Sequence, residues 1–219
     1  MTQEELKVEY DKYNTSSIFD SLKESVEAQI IVTEVYKGFY YEIIPYSFLR
    51  VGMRKGNPVK QFNRLKSTKN LYFYGFNDKK QIIEVREGCE IENQFDYQFL
   101  FYEKDMFKSL IYNNGKILQN VSYCYQKKGN LVDKVLGKGR FGGREEYYFY
   151  DEDDKLQKIE VKQYDRIGQE AANLFYTIKY GPDGSIDTIT KSTSMYEEIV
   201  YTEKKGELYP IKILKFPTP

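Results

Sequence analysis

The chain has 219 residues, in which 33 Lys and Arg balance 33 Asp and Glu, and it contains no histidine. Zero net charge argues against nucleic acid as the main partner, because phosphate binding needs an excess of basic residues. The absence of histidine removes the commonest general base, the Ser-His and Cys-His nucleophile pairs and most catalytic zinc sites. A catalytic role would have to rest on paired carboxylates, Lys or Tyr.

Residues 1–29 predict one or two helices that cap one end or face of a sheet. Thr2 and Glu5 have the spacing of a capping box, and Ser17 with Asp20 would form a second box that opens a helix through about Gln29. The sequence has neither an apolar signal region nor an apolar window of membrane-spanning length. We therefore expect a cytoplasmic protein with no membrane partner.

Residues 30–70 predict leading strands and a basic loop. Ile30 to Val35 and Phe39 to Ile44 have strand character, Pro45 ends the second, and Tyr46 to Val51 is a candidate third. The region around and after this third candidate is the most basic part of the chain, and is either a solvated loop or a patch that binds acidic groups. Its cations are Arg50, Arg54, Lys55, Lys60, Arg64, Lys66 and Lys69.

Residues 71–216 repeat a hairpin pattern, in which an aromatic residue is followed six positions later by an aliphatic one, with a polar turn between them. Asn113-Asn114-Gly115 is a further turn signal. The anchors recur every 21 to 30 residues, which indicates a repeat architecture. Full copies start at Phe76, Tyr125, Tyr150 and Tyr180; a shorter copy starts at Tyr102 and a longer one at Tyr201.

These patterns predict a mainly β protein formed as a single domain over residues 1–219. The expected architecture is an antiparallel meander of repeated hairpins in one large curved or two-layer sheet, with one or two short N-terminal helices. We expect Cys89 and Cys124 to be reduced, buried thiols. The sequence predicts no cofactor.

A glycine-rich segment, Leu136-Gly-Lys-Gly-Arg-Phe-Gly-Gly143, resembles the phosphate loop of protein kinases. The resemblance ends there, because Arg144 stands where kinases have valine and the chain has no Asp-Phe-Gly. A strand rather than a helix is predicted to follow, which excludes a dinucleotide site. We interpret the segment as a flexible hairpin loop; the alternative is that Lys138, Arg140 and Arg144 bind a phosphate or an acidic partner.

Two acidic stretches are candidate partner-binding surfaces. Asp151-Glu-Asp-Asp154 lacks the distant Glu of a calcium loop and predicts a hairpin tip. The other stretch connects the first two repeats. We predict no metal site. The candidate partner-binding residues are Glu87, Glu90, Glu92, Asp96, Asp151 and Asp153, with Arg140 and Arg144.

The segment Tyr148-x-Tyr-Asp-x-x-x-Lys-Leu156 resembles the YD repeat of Rhs and teneurin-type proteins, whose pattern is Tyr-x-Tyr-Asp-x-x-Gly-Arg-Leu. Asp154 stands where that family has Gly, and Lys155 where it has Arg. The resemblance covers roughly residues 71–211 and implies a hairpin fold. The family's repeats wind into a shell around a toxin, which six copies are too few to do. Small proteins of this kind are similar, by analogy, to immunity proteins of bacterial polymorphic toxin systems.

We therefore expect a non-catalytic protein that binds and neutralises a cognate protein, with a toxin domain as the leading partner. The 22 Tyr residues could supply contact area at low entropic cost. The acidic stretches would meet a basic active site, where carboxylates stand in for phosphates. Two alternatives remain: a structural β-repeat protein that assembles edge to edge, and a carbohydrate-active enzyme with two converging carboxylates. The oligomeric state is open.

Overall fold

The computed structural model describes residues 1–60, 67–127 and 131–202, and the backbone of residues 213–214. Within them, the strands form a single antiparallel sheet in the order β14-β13-β12-β11-β10-β9-β8-β7-β6-β5-β4-β3-β1-β2, so the predicted β meander is confirmed as one sheet. The strands are β1 Val32–Lys37, β2 Asn57–Pro58, β3 Leu71–Phe76, β4 Ile82–Gly88, β5 Phe95–Tyr102, β6 Met106–Tyr112, β7 Leu118–Lys127, β8 Leu131–Gly139, β9 Gly142–Tyr150, β10 Leu156–Tyr164, β11 Glu170–Tyr180, β12 Ile186–Ser192, β13 Glu197–Thr202 and β14 Ile213–Leu214.

Two N-terminal helices, α1 (Gln3–Tyr13) and α2 (Ser16–Glu27), precede the sheet. The Thr2 side chain and Glu5 form the predicted capping box. The second predicted box is wrong: α2 begins two residues earlier than a box with Ser17 as N-cap would place it, and its N-cap Thr15 makes no side-chain cap bond. Helix α1 packs on β7 and β8, and α2 packs on β4 and β5. No helix in the described part of the chain is long and apolar enough to cross a membrane.

The predicted strand from Phe39 to Ile44 does not form, and neither does the candidate third strand from Tyr46 to Val51. Residues 38–56 are irregular apart from a 3-10 helix at Leu49–Val51. Phe39 and Ile44 are nevertheless buried, and the Phe39 ring stacks on Phe48 with 4.4 Å between centroids. The run favours a strand in the sequence because it is apolar on both sides. In the structure, residues 39–44 fill a core with their side chains but do not pair with a neighbouring strand.

The short stretch of chain between the 3-10 helix and β2 requires the sheet to curl. The 3-10 helix contacts β12 and β13, yet Asn57, six residues after Val51, pairs with Lys37 of β1. In a flat sheet, the eleven steps from β1 to β13 would span about 50 Å, whereas six residues reach about 22 Å at most. The two ends of the sheet must therefore approach each other, and residues 38–56 cross its concave face while the helices cover the convex face.

Five hairpins share one turn geometry, which explains the repeat. In each, an aromatic anchor residue pairs with the residue six positions later. The fourth residue after the anchor takes a positive φ. That residue is Asp154, with φ 60°, in the hairpin of Tyr150. Asp151 Oδ1 accepts N–H bonds from Asp153 at 3.0 Å and Lys155 at 2.9 Å. The anchors are Phe76, Tyr112, Tyr150, Tyr164 and Tyr180, and the residues with positive φ are Lys80, Lys116, Asp154, Gly168 and Gly184.

Two of these hairpins, at Tyr112 and Tyr164, go beyond the copies identified in the sequence. The short copy at Tyr102 pairs with Phe107 as expected. The turn of the Tyr125 copy and most of the Tyr201 copy lie outside the described residues, as do Arg64 and Lys66 of the basic loop. The position where YD repeats have Gly is thus a position of left-handed backbone conformation, which Gly adopts most easily.

Candidate functional site

The hairpin connections at the two ends of the sheet differ in character. We call the end formed by connections 89–94, 113–117, 140–141, 165–169 and 193–196 the apolar rim, because each connection exposes one large apolar side chain. We call the other end, with connections 77–81, 103–105, 151–155 and 181–185, the polar rim, because these four described connections contain no large apolar residue. The apolar rim exposes Ile91 57%, Ile117 43%, Phe141 79%, Ile167 78% and Met195 68%.

This difference follows from strand order. Consecutive hairpins of an antiparallel meander point in opposite directions, so every second connection lies at the same end. Ile31 and Val32 are also exposed at the end opposite the apolar rim, but they belong to the chain entering β1 and not to a hairpin connection. The apolar side chains of the rim therefore form a row, about 10 Å apart from one connection to the next at the usual strand spacing.

The apolar rim carries both acidic and basic side chains. Glu90 and Glu92 flank Ile91 on the β4–β5 connection, and Glu90 pairs with Lys69. Lys116, Arg140 and Arg166 each precede the apolar residue of the next three connections. The rim thus has an acidic tip followed by two basic tips and, at 165–169, a tip on which Asp165 balances Arg166, each with an exposed apolar side chain. Lys116 binds Asp20 of α2 at 2.7 Å.

The other sequence-predicted acids do not project from this rim. Glu87 and Asp96 face each other on β4 and β5, and Asp96 Oδ1 accepts the Asn114 N–H at 2.8 Å. Asp96 thereby braces the neighbouring connection at 113–117. Asp151 and Asp153 lie on the polar rim, at the opposite end. Backbone N–H bonds from the turn, above all that of Lys155, lower the pKa of Asp151.

Arg144 does not join Arg140 at the tip. It lies inside β9 on the concave face, and its Nε is 3.4 Å from Glu146 Oε1. Arg50 reaches Glu146 from the crossing segment, with 3.0 Å between Nη2 and Oε2, and both side chains are at least 94% buried. The Tyr148 hydroxyl donates to the same carboxylate. Burial alone would raise the pKa of Glu146, but Arg50, Arg144 and the Tyr148 hydrogen bond outweigh it and lower that pKa.

The glycine-rich segment is a tight two-residue hairpin. Leu136 to Gly139 continue β8, and Gly142 begins β9. A Cβ on Gly142 would collide with the carbonyl oxygen of Tyr164 at the end of β10, and one on Gly137 would crowd Ser122 and Arg144. These two glycines are required by close strand packing, which accounts for them without a phosphate.

A cavity of about 310 Å³ opens at the polar rim between the crossing segment and the ends of β8, β10 and β11. Its Tyr hydroxyls are used internally: Tyr180 donates to the Leu156 carbonyl at 2.9 Å, and Tyr150 donates to the Val132 carbonyl at 2.8 Å. The Tyr46 hydroxyl lies 3.1 Å from that of Tyr180. The cavity therefore offers aromatic rings and hydroxyl acceptors, with Lys155 at its wall.

Within the described residues, no group of three His, Cys, Asp or Glu side chains is arranged to hold a metal ion. Cys89 and Cys124 are free thiols, as expected. Cys124 is buried in β7, so the expected burial is confirmed for this residue. Cys89 lies on the apolar rim and is only partly buried.

Sequence reasoning missed the row of apolar tips and the role of Arg50. The first has a sequence signal: Ile91, Ile117, Phe141, Ile167 and Met195 recur at intervals of 26, 24, 26 and 28, the same range as the repeat. Arg50 has none, because its position in the basic run predicts a solvated side chain.

No protein-family model matches the chain, and no curated protein matches it. Among solved structures, the chain is similar to the crystal structure of a porin-like protein from Bacteroides uniformis, with 16% sequence identity and a TM-score of 0.42. The match covers 59% of this chain and 51% of that one, so the chain spans about half the length of that structure. A likeness of this extent carries no conclusion about function.

Proposed function

We propose that this protein is a non-catalytic binding protein that holds a cognate protein against its apolar rim, and that the partner is a toxin domain which it neutralises. The observation that carries the proposal is the difference between the two ends of the sheet. One large apolar side chain is exposed on each connection of the apolar rim, and none on the described connections of the polar rim.

Exposed apolar residues grouped on one surface favour an interaction site over a solvated one, since scattered single residues are normal and clusters are not. Phe141 and Ile167 are nearly four-fifths exposed, so a partner that covers them removes much apolar area from water. Each tip is also held between two paired strands, and the Asp165 side chain closes its own turn with bonds to Ile167 and Gln169. Rigid tips lose little entropy on binding.

The acidic-mimic mechanism, in which carboxylates stand in for phosphates at a basic active site, can use only one hairpin tip. Glu90 and Glu92 are exposed on the apolar rim and could meet a basic active site. Asp151 and Asp153 lie at the opposite end, and Asp151 is engaged in its turn, so one partner surface cannot meet both pairs through one rim.

The two alternative functions have less support. A carboxylate-dependent enzyme needs two converging acids, whereas the buried Glu146 is held by Arg50, Arg144 and Tyr148. Edge-to-edge assembly needs a long exposed strand, and at one edge of the sheet β2 has two residues, the second of which is Pro58, which disfavours assembly through that edge.

The test is capture of a partner from the native host with the purified chain, joined to inspection of the neighbouring reading frame. We expect a toxin-type protein that the wild type retains and a Phe141→Ser/Ile167→Ser variant loses. The matched control, Lys79→Ser/Glu152→Ser on the polar rim, should retain it. A partner that both variants bind equally, or a neighbouring frame that encodes a metabolic enzyme with no partner recovered, would refute the proposal.

If the partner binds through the acidic tip, charge reversal at Glu90 and Glu92 should slow association at low salt, where electrostatic steering is strongest. Reversal at Asp151 and Asp153 should leave the association rate unchanged. Equal rates for both variants would remove the acidic-mimic mechanism and leave binding through the apolar side chains.

A further inference from the structure

We propose that the apolar rim is self-complementary, and that two copies of this chain dock rim to rim as a symmetric dimer when no other partner occupies it. The dimer is independent of the proposed function, because it concerns the purified chain alone. Its basis is that acidic and basic tips, each with an exposed apolar side chain, lie on the same rim.

The complementary tips are two connections apart. The acidic tip carries Ile91 and Glu92, with Glu90 already paired with Lys69, and the basic tip carries Arg140 and Phe141. At the usual strand spacing, the four strand steps between these tips amount to about 19 Å. An interface that pairs acidic with basic tips therefore needs two separate contacts, which a two-fold axis provides.

A two-fold axis through the β6–β7 connection satisfies this requirement. In such an isologous contact, residue i of one copy meets residue j of the other, and j meets i. The axis places the acidic tip of each copy opposite the basic tip of the other, so that Ile91 covers Phe141 twice. Lys116 would lie near the axis, and its charge is already paired with Asp20, which reduces the repulsion between the two copies there.

The same tips disfavour an anionic lipid surface as the occupant. Two basic tips would approach such a surface, but Glu90, Glu92 and Asp165 on the same rim would be repelled by it. We expect a few hairpin tips to bury less than the roughly 1,200 Å² of a standard stable interface, so the dimer should be weak and depend on concentration. A partner with a larger complementary surface would displace the second copy.

The experiment is sedimentation velocity on the full chain, from low to high micromolar concentration. We expect a reversible monomer–dimer equilibrium whose dissociation constant rises about tenfold or more when salt is raised to molar concentration, because contacts between exposed charges are screened. This measurement needs no variant. A wild-type chain that stays monomeric throughout, or a dimer insensitive to salt, would overturn the proposal.

Two charge-reversal variants give the sharper test. Glu90→Arg/Glu92→Arg makes both contacting tips basic, and Arg140→Glu makes both acidic, so each variant alone should be monomeric. An equimolar mixture should form the dimer again, because opposite tips then meet across the axis. A mixture that stays monomeric, or single variants that dimerise like the wild type, would refute this interface. Binding of the wild type to phosphatidylserine-containing vesicles, with no self-association, would assign the rim to a membrane instead.

Discussion

Arg50 Nη2 lies 3.0 Å from Glu146 Oε2, and this contact joins the crossing segment to strand β9 across 96 positions in the sequence. Both side chains are buried, so neither charge can be solvated if the other is removed. The Arg50 guanidinium also lies 5.0 Å from the centre of the Tyr176 ring. The pair therefore fixes the segment against the concave face of the curled sheet.

Removing one partner of this pair should destabilise the protein strongly. We expect Glu146→Gln to lower the free energy of unfolding by about 3 kcal/mol, because it leaves Arg50 buried without its counter-ion. Chemical denaturation measures the change. Glu160→Gln, which breaks the half-exposed pair with Lys158, should cost less than about 1 kcal/mol. An Arg50→Met/Glu146→Leu double variant should recover most of the loss; equal losses in all three variants would contradict this account.

The same carboxylate should make stability depend on pH. The pKa of Glu146 in the folded protein is below its ordinary value of 4.5, because the effect of the two arginines exceeds that of burial. A lowered pKa means that its stabilisation is present above about pH 4.5 and is lost as pH falls through the folded pKa. The difference in unfolding free energy between wild type and Glu146→Gln should therefore shrink below that pH. A constant difference down to pH 3 would contradict it.

The turns could be predicted from the sequence because their determinants are local. An Asn or Asp after the aromatic anchor closes the connection within five residues, as Asp151 does, and Thr2 caps α1 in the same local way. Phe39 to Ile44 could not be assigned, since an apolar run favours a strand whether or not a neighbouring strand is present. Arg50 depends on Glu146, far away in sequence, and the apolar rim depends on strand order. The Arg50–Glu146 contact arises only after folding, whereas the apolar tips recur periodically in the sequence and become one surface only through the strand order.

Left-handed turn positions occupied by lysine should be improved by glycine. Lys80 has φ 60°, a conformation that costs a side-chain-bearing residue about 1 kcal/mol. We expect Lys80→Gly to raise the free energy of unfolding by about 0.5 kcal/mol, after allowing for the greater freedom of Gly in the unfolded chain. The control is Lys79→Gly next to it, where φ is not positive and Gly should only destabilise. A loss at both positions would exclude strain at Lys80.

The two cysteines should differ in reactivity. Burial raises the pKa of Cys124 to about 12, and raises that of the more accessible Cys89 as well, with Asp96 adding to the effect. In the native protein at pH 8, a thiol reagent should modify Cys89 slowly and Cys124 only upon unfolding, because the thiolate is the reactive form. Cys89→Ser should leave native protein unreactive and one thiol accessible in denaturant. Rapid native labelling of that variant would contradict the buried position of Cys124.

The apolar rim should bind apolar surfaces as one continuous hydrophobic patch. We expect a triple variant, Phe141→Ser/Ile167→Ser/Met195→Ser, to elute earlier from a hydrophobic-interaction column because it removes three apolar side chains from the same end. Its unfolding free energy should change by less than about 0.5 kcal/mol per site, since the three residues lie in exposed connections. The control is Val8→Ser/Ile31→Ser/Val51→Ser, which removes three apolar residues of comparable exposure, 67%, 68% and 69%, at separate places. A planar matrix can contact only one end of the molecule at a time, so the control should shift elution less. Equal shifts would mean that the rim side chains act singly, and neither a partner nor a second copy would then find a continuous surface there.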